Sequence, residues 1–276
     1  MQLGHELKQL RDRAGFTLAE AVDGLTFSPS KLHRVENGLT GLKTAAELRI
    51  LLDRYGVDDE EDVEFLLDVH RESSNRGWWS VYRNVMPSGM ALYVGLETGT
   101  RSSRAWQPNV VFGLLQTERY AREMFLSAKP VHEYTTEFVE RNTQIRMERK
   151  KALHRRGDPL ELWVVQDEAA LRRVLGGPDV MREQYEEIER LAQLDNVTVQ
   201  ILPMATATYR SASNFSLLDF GVPLPTIVQI DAAQGTEIND KDTAVWSFTR
   251  RFDALRAGAL APSETPAFLQ RLAREV

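Results

Sequence analysis

Four side chains that can donate hydrogen bonds stand within five consecutive positions near the start of the chain: Ser30, Lys31, His33 and Arg34. Lysine and arginine add positive charge, and the planar guanidinium of arginine can engage two acceptors at once. Side chains of this kind, brought to one surface, recognise an anionic partner that is rich in hydrogen-bond acceptors. A lone surface histidine proves nothing, so the combination carries the argument.

The segment around them, FSPSKLHRVENG at 27–38, predicts a helix of about two turns. Ser28 is a favoured N-cap, and Pro29 suits the first helical position. The Asn-Gly pair that closes the segment suits a left-handed exit, so the helix should span 29–36. An isolated helix this short is unstable in water, and neighbouring elements must therefore hold it.

Such neighbours are predicted on both sides of the short helix. Leucines at helical spacing indicate a helix over 3–14. Capping boxes that begin at Thr17 and Thr44 start a second helix and another at 45–55. The join of about three residues between the second helix and the short one forces a sharp turn, as in a helix-turn-helix.

The short helix, packed on one side and polar on the other, suits a groove about 12 Å wide, which is the width of the major groove of DNA. The sequence thus favours double-stranded DNA as the partner. The alternative interpretation is a helical bundle used for protein contacts, in which Lys31 and Arg34 only aid solubility.

Residues 3–57 resemble the Cro/CI-type helix-turn-helix module of the XRE family, with S-P-S-K-L opening the recognition helix and E-N-G closing it. Leu18 stands where the family often has a backbone-contacting Gln, and Thr26 stands where it usually has Gly. The resemblance implies that Arg34 can bind guanine through two hydrogen bonds. Glu36 is expected to be a structural partner of a neighbouring arginine.

The predicted DNA-binding residues fall into two groups. Those of the recognition helix would reach base edges and phosphates, and the others would hold the DNA backbone. The full set is Thr17, Ser28, Ser30, Lys31, His33, Arg34, Asn37, Lys43 and Thr44.

Length and composition indicate a folded protein of two domains. The 276 residues exceed one ordinary domain, and 42% are hydrophobic against 27% charged. The polar stretch RESSNRGWWS resembles a linker, which predicts a DNA-binding domain at 1–72 and a second domain at 78–276. The net charge of -6 is uneven, because 58–68 carries seven acids and no base. That block is ordinarily a solvated helix face, although it could also orient the module by repelling DNA.

The second domain has a mixed pattern. Residues 88–128 are predicted to be mainly helical, with a loop at 101–108. A basic helix at about 135–155 could touch DNA, bind an acidic partner or simply face solvent. Beyond 158 the segments LELWVVQ, NVTVQILP, NFSLLDF and PTIVQIDA predict strands among helices. We therefore predict the α+β class: an all-α helix-turn-helix domain, then a larger α+β domain with a mostly antiparallel sheet, in which the first two strands could pair in parallel.

Blocks of the second domain, GLLQTERYAR above all, resemble the C-terminal domain of unknown function attached to many actinobacterial XRE regulators. The likeness covers about 78–275 and departs at Phe112, where the family usually has Pro. It implies a regulator that is often encoded beside a small partner protein and that influences development or antibiotic production.

Enzyme chemistry finds little support in this domain. The chain has no cysteine, no phosphate-binding glycine loop, no metal-binding pair of histidines and no G-x-S-x-G motif. Asp167 and Glu168 stand where a strand runs into a helix, and capping explains them better than acid–base catalysis. We therefore expect no catalytic residue, metal or cofactor. A ligand pocket is the remaining option, although helix-end charges and a core glutamine explain its candidate residues equally well; these are Arg101, Arg104, Trp106 and Gln116.

Together these patterns predict a cytoplasmic, homodimeric transcriptional regulator. Its second domain would dimerise and sense a ligand or a small protein encoded by the neighbouring gene. No segment is apolar enough to span a bilayer, so no membrane partner is expected. The alternatives are an antitoxin-like regulator that neutralises a small neighbouring protein, and a nucleotide-using enzyme domain fused to a DNA-binding module.

Overall fold

A computed structural model describes residues 2–25, 27–37, 40–42, 44–74, 78–222, 224–232 and 235–276. The chain divides into a compact unit of Met1–Trp78 and a larger one of Trp79–Val276. Within the described ranges, no helix combines the length and the apolar character needed to cross a membrane.

The first unit is all helical. Its described helices are α1 (Gln2–Arg13), α2 (Leu18–Ala21), α3 (Pro29–Glu36), α4 (Ala45–Arg54) and α5 (Glu60–Ser74). The hydroxyls of Thr17, Ser28 and Thr44 each accept a hydrogen bond from the backbone N–H three residues later, which fixes the starts of α2, α3 and α4. The predicted bounds of α1, α3 and α4 agree with the observed ones to within one residue.

A small apolar core holds α3 in place. Leu7 of α1, Leu32 of α3 and Leu48 of α4 are completely buried in it. The backbones of α1 and α3 approach so closely that a Cβ atom at Gly4 would lie 2.2 Å from the carbonyl oxygen of Val35. Glycine is therefore required at this position, because any side chain would push α1 away from the end of α3.

The second unit combines helices with one mixed sheet. Its described α-helices are α6 (Met90–Thr98), α7 (Glu118–His132), α8 (Thr136–Lys150), α9 (Glu168–Arg172), α10 (Pro178–Leu191), α11 (Asp242–Gly258) and α12 (Thr265–Glu275). Short 3-10 segments lie at Trp78–Val85, Gly113–Leu115, Lys151–His154 and Pro262–Glu264. The strands are β1 (Ser102–Gln107), β2 (Glu161–Asp167), β3 (Val197–Leu202), β4 (Phe215–Asp219), β5 (Ile227–Ala232) and β6 (Gly235–Asn239).

The strands in the described ranges form one sheet in the order β3-β2-β1-β4-β5-β6. The pairs β3-β2 and β2-β1 are parallel, whereas β1-β4, β4-β5 and β5-β6 are antiparallel. This arrangement confirms the predicted α+β class with mostly antiparallel pairing. The two strands whose pairing the sequence left open, β2 and β3, are parallel.

Two strands were missed by the sequence patterns. The segment SSRAWQ, predicted to lie in a loop, forms β1 in the centre of the sheet between β2 and β4. It contains no β-branched residue and no clean alternation of apolar and polar residues, so only its neighbours make it a strand. The edge strand β6, with the sequence GTEIN, was also not predicted.

Each face of the sheet carries its own apolar core, because successive strand residues point to opposite faces. On one face, Ala105, Val164 and Val199 pack in a core that includes residues of α10 and α12. On the other face, α11 crosses β1 to β5 and covers Trp106 and Val165. The layers therefore enclose the central strands on both sides.

The basic helix predicted at about 135–155 is α8 with the 3-10 segment after it, but its charges do not form one exposed surface. Arg149 is buried, and its Nε atom lies 2.6 Å from a carboxylate oxygen of Glu97. Lys150 is ion-paired with Glu187 of α10. The prediction of a basic surface is thus wrong here, because tertiary partners draw these side chains inward.

Candidate nucleic-acid interface

Capping groups at both ends define α3. The hydroxyl oxygen of Ser28 accepts the N–H of Lys31 at 3.2 Å, and Pro29 occupies the first turn. At the other end, the side-chain amide of Asn37 donates to the carbonyl oxygen of His33 at 2.8 Å. A backbone N–H at the start of the helix and a backbone carbonyl in its last turn thus gain side-chain partners. These contacts stabilise a helix of only eight residues.

A buried ion pair joins the last turn of α3 to α1. The Nε and Nη2 atoms of Arg11 donate to the two carboxylate oxygens of Glu36 at 2.7 and 3.0 Å. Nη1 of Arg11 also donates to the carbonyl oxygen of Phe16 at 2.8 Å. Hydrogen bonding to Glu36 raises the pKa of Arg11, so its guanidinium stays charged. This is the structural pairing that the sequence assigned to Glu36.

The opposite face of α3 is open to solvent. Ser30, His33 and Arg34 are exposed on it. In the described part of the chain, Ser30 and Arg34 make no side-chain hydrogen bond or ion pair. His33 is partly engaged, because the amide nitrogen of Asn37 lies 3.3 Å from its ring nitrogens. This face therefore offers a hydroxyl and a guanidinium without the loss of an internal contact.

Lys31 does not share this open face. Its Nζ atom lies 2.9 Å from a carboxylate oxygen of Glu47 in α4, and 4.6 Å from the centre of the Phe27 ring. Only 17% of its side chain is exposed. The sequence pattern directed Lys31 outward with the other polar residues, and that placement is wrong because α4 brings an acid beside it.

The two threonines predicted to hold the DNA backbone are N-caps. The hydroxyl of Thr17 accepts the N–H of Glu20 at 3.3 Å, and the N–H of Thr17 donates to the Glu20 carboxylate at 2.8 Å. This carboxylate occupies the start of α2 and would repel a phosphate there. Thr44 caps α4 without a complete box and is exposed. Lys43 and Thr26 lie outside the described residues.

Replacement of Ser28 by alanine should lower the stability of the first unit by about 1 kcal/mol, because the Lys31 N–H loses its hydroxyl acceptor and keeps only the Ser28 carbonyl oxygen at 2.9 Å. Ser30→Ala is the matched control, since Ser30 is exposed and caps nothing, and its effect on stability should stay within about 0.5 kcal/mol. Hydrogen exchange of the Leu32 and Val35 amides measures the stability change in each of the two variants. Equal protection in the two variants would contradict the capping role.

Two residues contribute to the interface in ways that the sequence did not indicate. Nη1 of Arg54 donates to the carbonyl oxygens of Ala21 at 3.0 Å and Asp23 at 2.7 Å, which closes the C-terminus of α2. Glu47 holds Lys31. These partners stand 16 to 33 positions away in the chain, so no local pattern could reveal them.

The four ligand candidates of the second unit do not share one pocket. Arg101 and Arg104 line a cleft of about 590 Å³ near the start of β1. Trp106 lines another of about 470 Å³ beyond the end of that strand. Gln116 is completely buried, and its amide nitrogen donates to the carbonyl oxygen of Val111 at 2.7 Å. The prediction of one shared pocket is therefore wrong, since Trp106 and the two arginines line different clefts and Gln116 belongs to the interior.

Asp167 and Glu168 have structural contacts. Asp167 accepts the N–H of Ala169 at 2.8 Å and caps α9, and Glu168 accepts the N–H of Met204 at 2.7 Å. Arg210 lies 3.3 Å from the second carboxylate oxygen of Asp167. These contacts agree with the capping interpretation of the sequence.

Both units match domains found in other proteins. Residues 2–65 match a domain described as a helix-turn-helix domain, and residues 90–271 match a domain of unknown function (DUF5753). No curated protein and no solved structure matches the chain. The first match covers α1 to α4 and the beginning of α5, which are the elements that position α3.

Proposed function

Since the chain belongs to the DUF5753 family and carries a helix-turn-helix domain before that region, we propose that it is a sequence-specific DNA-binding transcriptional regulator. The observation that carries this proposal is the open face of α3. Ser30 and Arg34 are exposed there. The helix that carries them is held in place by its caps and by the buried Arg11–Glu36 ion pair. A helix of eight residues is about 12 Å long, which suits the major groove.

The polar residues of α3 have different roles in this proposal. Arg34 would bind guanine through two hydrogen bonds, and Ser30 would bind a base edge or a phosphate. Lys31, paired with Glu47, would stabilise the orientation of α3 relative to α4 rather than read bases. His33 would act together with Asn37.

The finer assignment is to the Cro/CI type of the XRE family, in its actinobacterial form, and it rests on the resemblance of residues 3–57. This finer assignment also predicts a homodimer, in which two copies of α3 lie in successive major grooves about 34 Å apart. To bind chromosomal DNA, the protein must be in the same compartment as that DNA. The proposed function therefore includes a cytoplasmic location.

The second unit would dimerise and respond to a ligand or to a small protein encoded by the neighbouring gene. Its support is the resemblance of this unit and the presence of clefts on the sheet. The proposal assigns no catalytic role to the chain. Neutralisation of a small neighbouring protein remains a variant of the same proposal, and co-purification with the neighbouring gene product tests it.

Selection of duplexes with a random core by the full chain tests DNA recognition. We expect one motif of two related half-sites whose centres lie about 10 base pairs, or a multiple of that, apart. The double variant Ser30→Ala/Arg34→Ala should lose the motif. Arg49→Ala, which removes an arginine of α4 that pairs with Glu64, should still select the motif. An unenriched pool from the wild type would contradict the proposal, and a single half-site would contradict the dimer alone.

A further inference from the structure

The cleft of about 590 Å³ lies on the sheet face that carries α11. Its floor consists of residues near the starts of the three parallel strands: Ser102 and Arg104 of β1, Glu161 and Trp163 of β2, and Thr198 of β3. Loops before β2 and β3 form its sides. The volume is within the range of about 300–1,000 Å³ that is usual for ligand sites.

The path of α11 leaves this corner of the sheet open. Further along the same face, Trp106, Val165 and Leu202 are buried beneath the helix. Nearer the strand starts, Glu161 is exposed, and Arg104 is partly exposed. The cleft is thus the part of the face that α11 does not cover.

Charges of both signs in the cleft lack internal partners. Arg101 and Arg104 line it together with Asp158, Glu161 and Asp195. In the part of the chain that the structure describes, none of these five makes a side-chain hydrogen bond or an ion pair. Several other arginines of this unit are engaged: Arg149 with Glu97, Arg190 with Glu187, and Arg155 with backbone carbonyls. Two guanidinium groups and three carboxylates are therefore available to a ligand that brings charges of its own.

Trp163 gives the floor a fixed apolar surface. Its indole N–H donates to the side-chain oxygen of Gln200 at 2.9 Å, which sets the ring orientation. The guanidinium of Arg256 lies 4.9 Å from the ring centre, and Phe252 packs edge-on against the ring. The ring is held from the α11 side and remains partly exposed.

We propose that this cleft binds a small amphoteric molecule, a free amino acid or a dipeptide. Its carboxylate would bind Arg101 and Arg104, its ammonium group would bind Glu161, and its side chain would lie against Trp163. Charge-assisted hydrogen bonds to both ends select a ligand that carries both charges. The inference deepens the proposed function, on which it rests, because it supplies the ligand of the regulatory unit.

Titration calorimetry with the full chain, free of DNA, tests the site with the twenty amino acids and a set of dipeptides. We expect at least one compound to bind, and N-acetylation or C-amidation of that compound to weaken binding by about tenfold or more. Arg104→Met and Glu161→Gln should each weaken binding to a similar extent. The control Asp179→Asn, which lies on α10 outside the cleft, should leave binding unchanged.

Absence of binding across the whole set would overturn the proposal, as would binding that Arg104→Met and Glu161→Gln do not alter. Equal binding of an acetylated or amidated analogue would overturn the amphoteric assignment. DNA binding is measured separately without ligand, so the two proposals can fail independently. A bound compound that leaves DNA affinity unchanged would remove sensing from the proposed function but keep the site.

Discussion

Replacement of Glu97 by alanine is expected to destabilise the second unit by about 3–5 kcal/mol, because it leaves a buried guanidinium without its counter-charge. Glu97 of α6 and Arg149 of α8 have only 4% and 5% of their side chains exposed. The hydroxyl of Tyr93 donates to the same carboxylate at 2.9 Å. A loss of this size is a large fraction of the usual stability of a folded domain, about 5–15 kcal/mol.

A second arginine strengthens this expectation. Burial lowers the pKa of Arg149, but the charge and hydrogen bonds of Glu97 outweigh that effect, so the net shift is upward. Arg146, one turn earlier on α8, has its pKa lowered to about 10 by burial and by the charge of Arg149. Without Glu97, two positive charges would lie close together in the interior with less compensation.

Urea unfolding followed by tryptophan fluorescence measures this effect selectively, since four of the five tryptophans lie in Trp79–Val276 and the fifth is Trp78. Glu148→Ala is the control on α8. Its carboxylate pairs with Lys151 on the surface, and its loss should cost less than about 0.5 kcal/mol. A loss below about 1 kcal/mol in Glu97→Ala would show that the pair is not required for the fold.

Arg34→Ala should weaken binding to the selected duplex by about 1–3 kcal/mol, or roughly 5- to 150-fold, and should relax the preference for one guanine. The guanidinium is exposed on α3, and no described residue accepts from it, so the variant removes no internal contact. Fluorescence anisotropy on the selected duplex and on one with that guanine replaced measures both effects.

Arg49→Ala is the charge-matched control, because Arg49 lies on α4 and pairs with Glu64 at 3.0 Å. It should weaken both duplexes alike and only slightly. Lys43→Ala is likewise expected to weaken all sequences equally and to reduce the salt dependence. If Arg34→Ala lowered affinity for both duplexes to the same extent, Arg34 would contact phosphate rather than a base.

Local signals explain why the helices of the first unit could be predicted. The N-caps Ser28 and Thr44, and the proline after the first of them, act within one turn of the helix that they start. The bounds of α3 therefore follow from the sequence alone. The open face follows too for Ser30 and Arg34, because Leu32 and Val35 fix which side is buried.

Contacts between distant segments explain what the sequence could not show. Lys31 pairs with Glu47, 16 positions away in the sequence, and therefore does not face solvent. Arg149 is buried with Glu97, 52 positions away. The strand β1 has a sequence without β-branched residues and depends on pairing with β2 and β4. The cleft that holds Arg101 and Arg104 depends in the same way on where α11 crosses the sheet.

Backbone amide NMR spectra of the full chain, with and without a selected duplex, test the central claim most directly. If α3 enters the major groove, the largest shifts will occur at residues 28–37, with smaller ones at the starts of α2 and α4. If the duplex binds and residues 28–37 keep their positions while other amides shift, α3 is not the recognition helix and the proposed function fails.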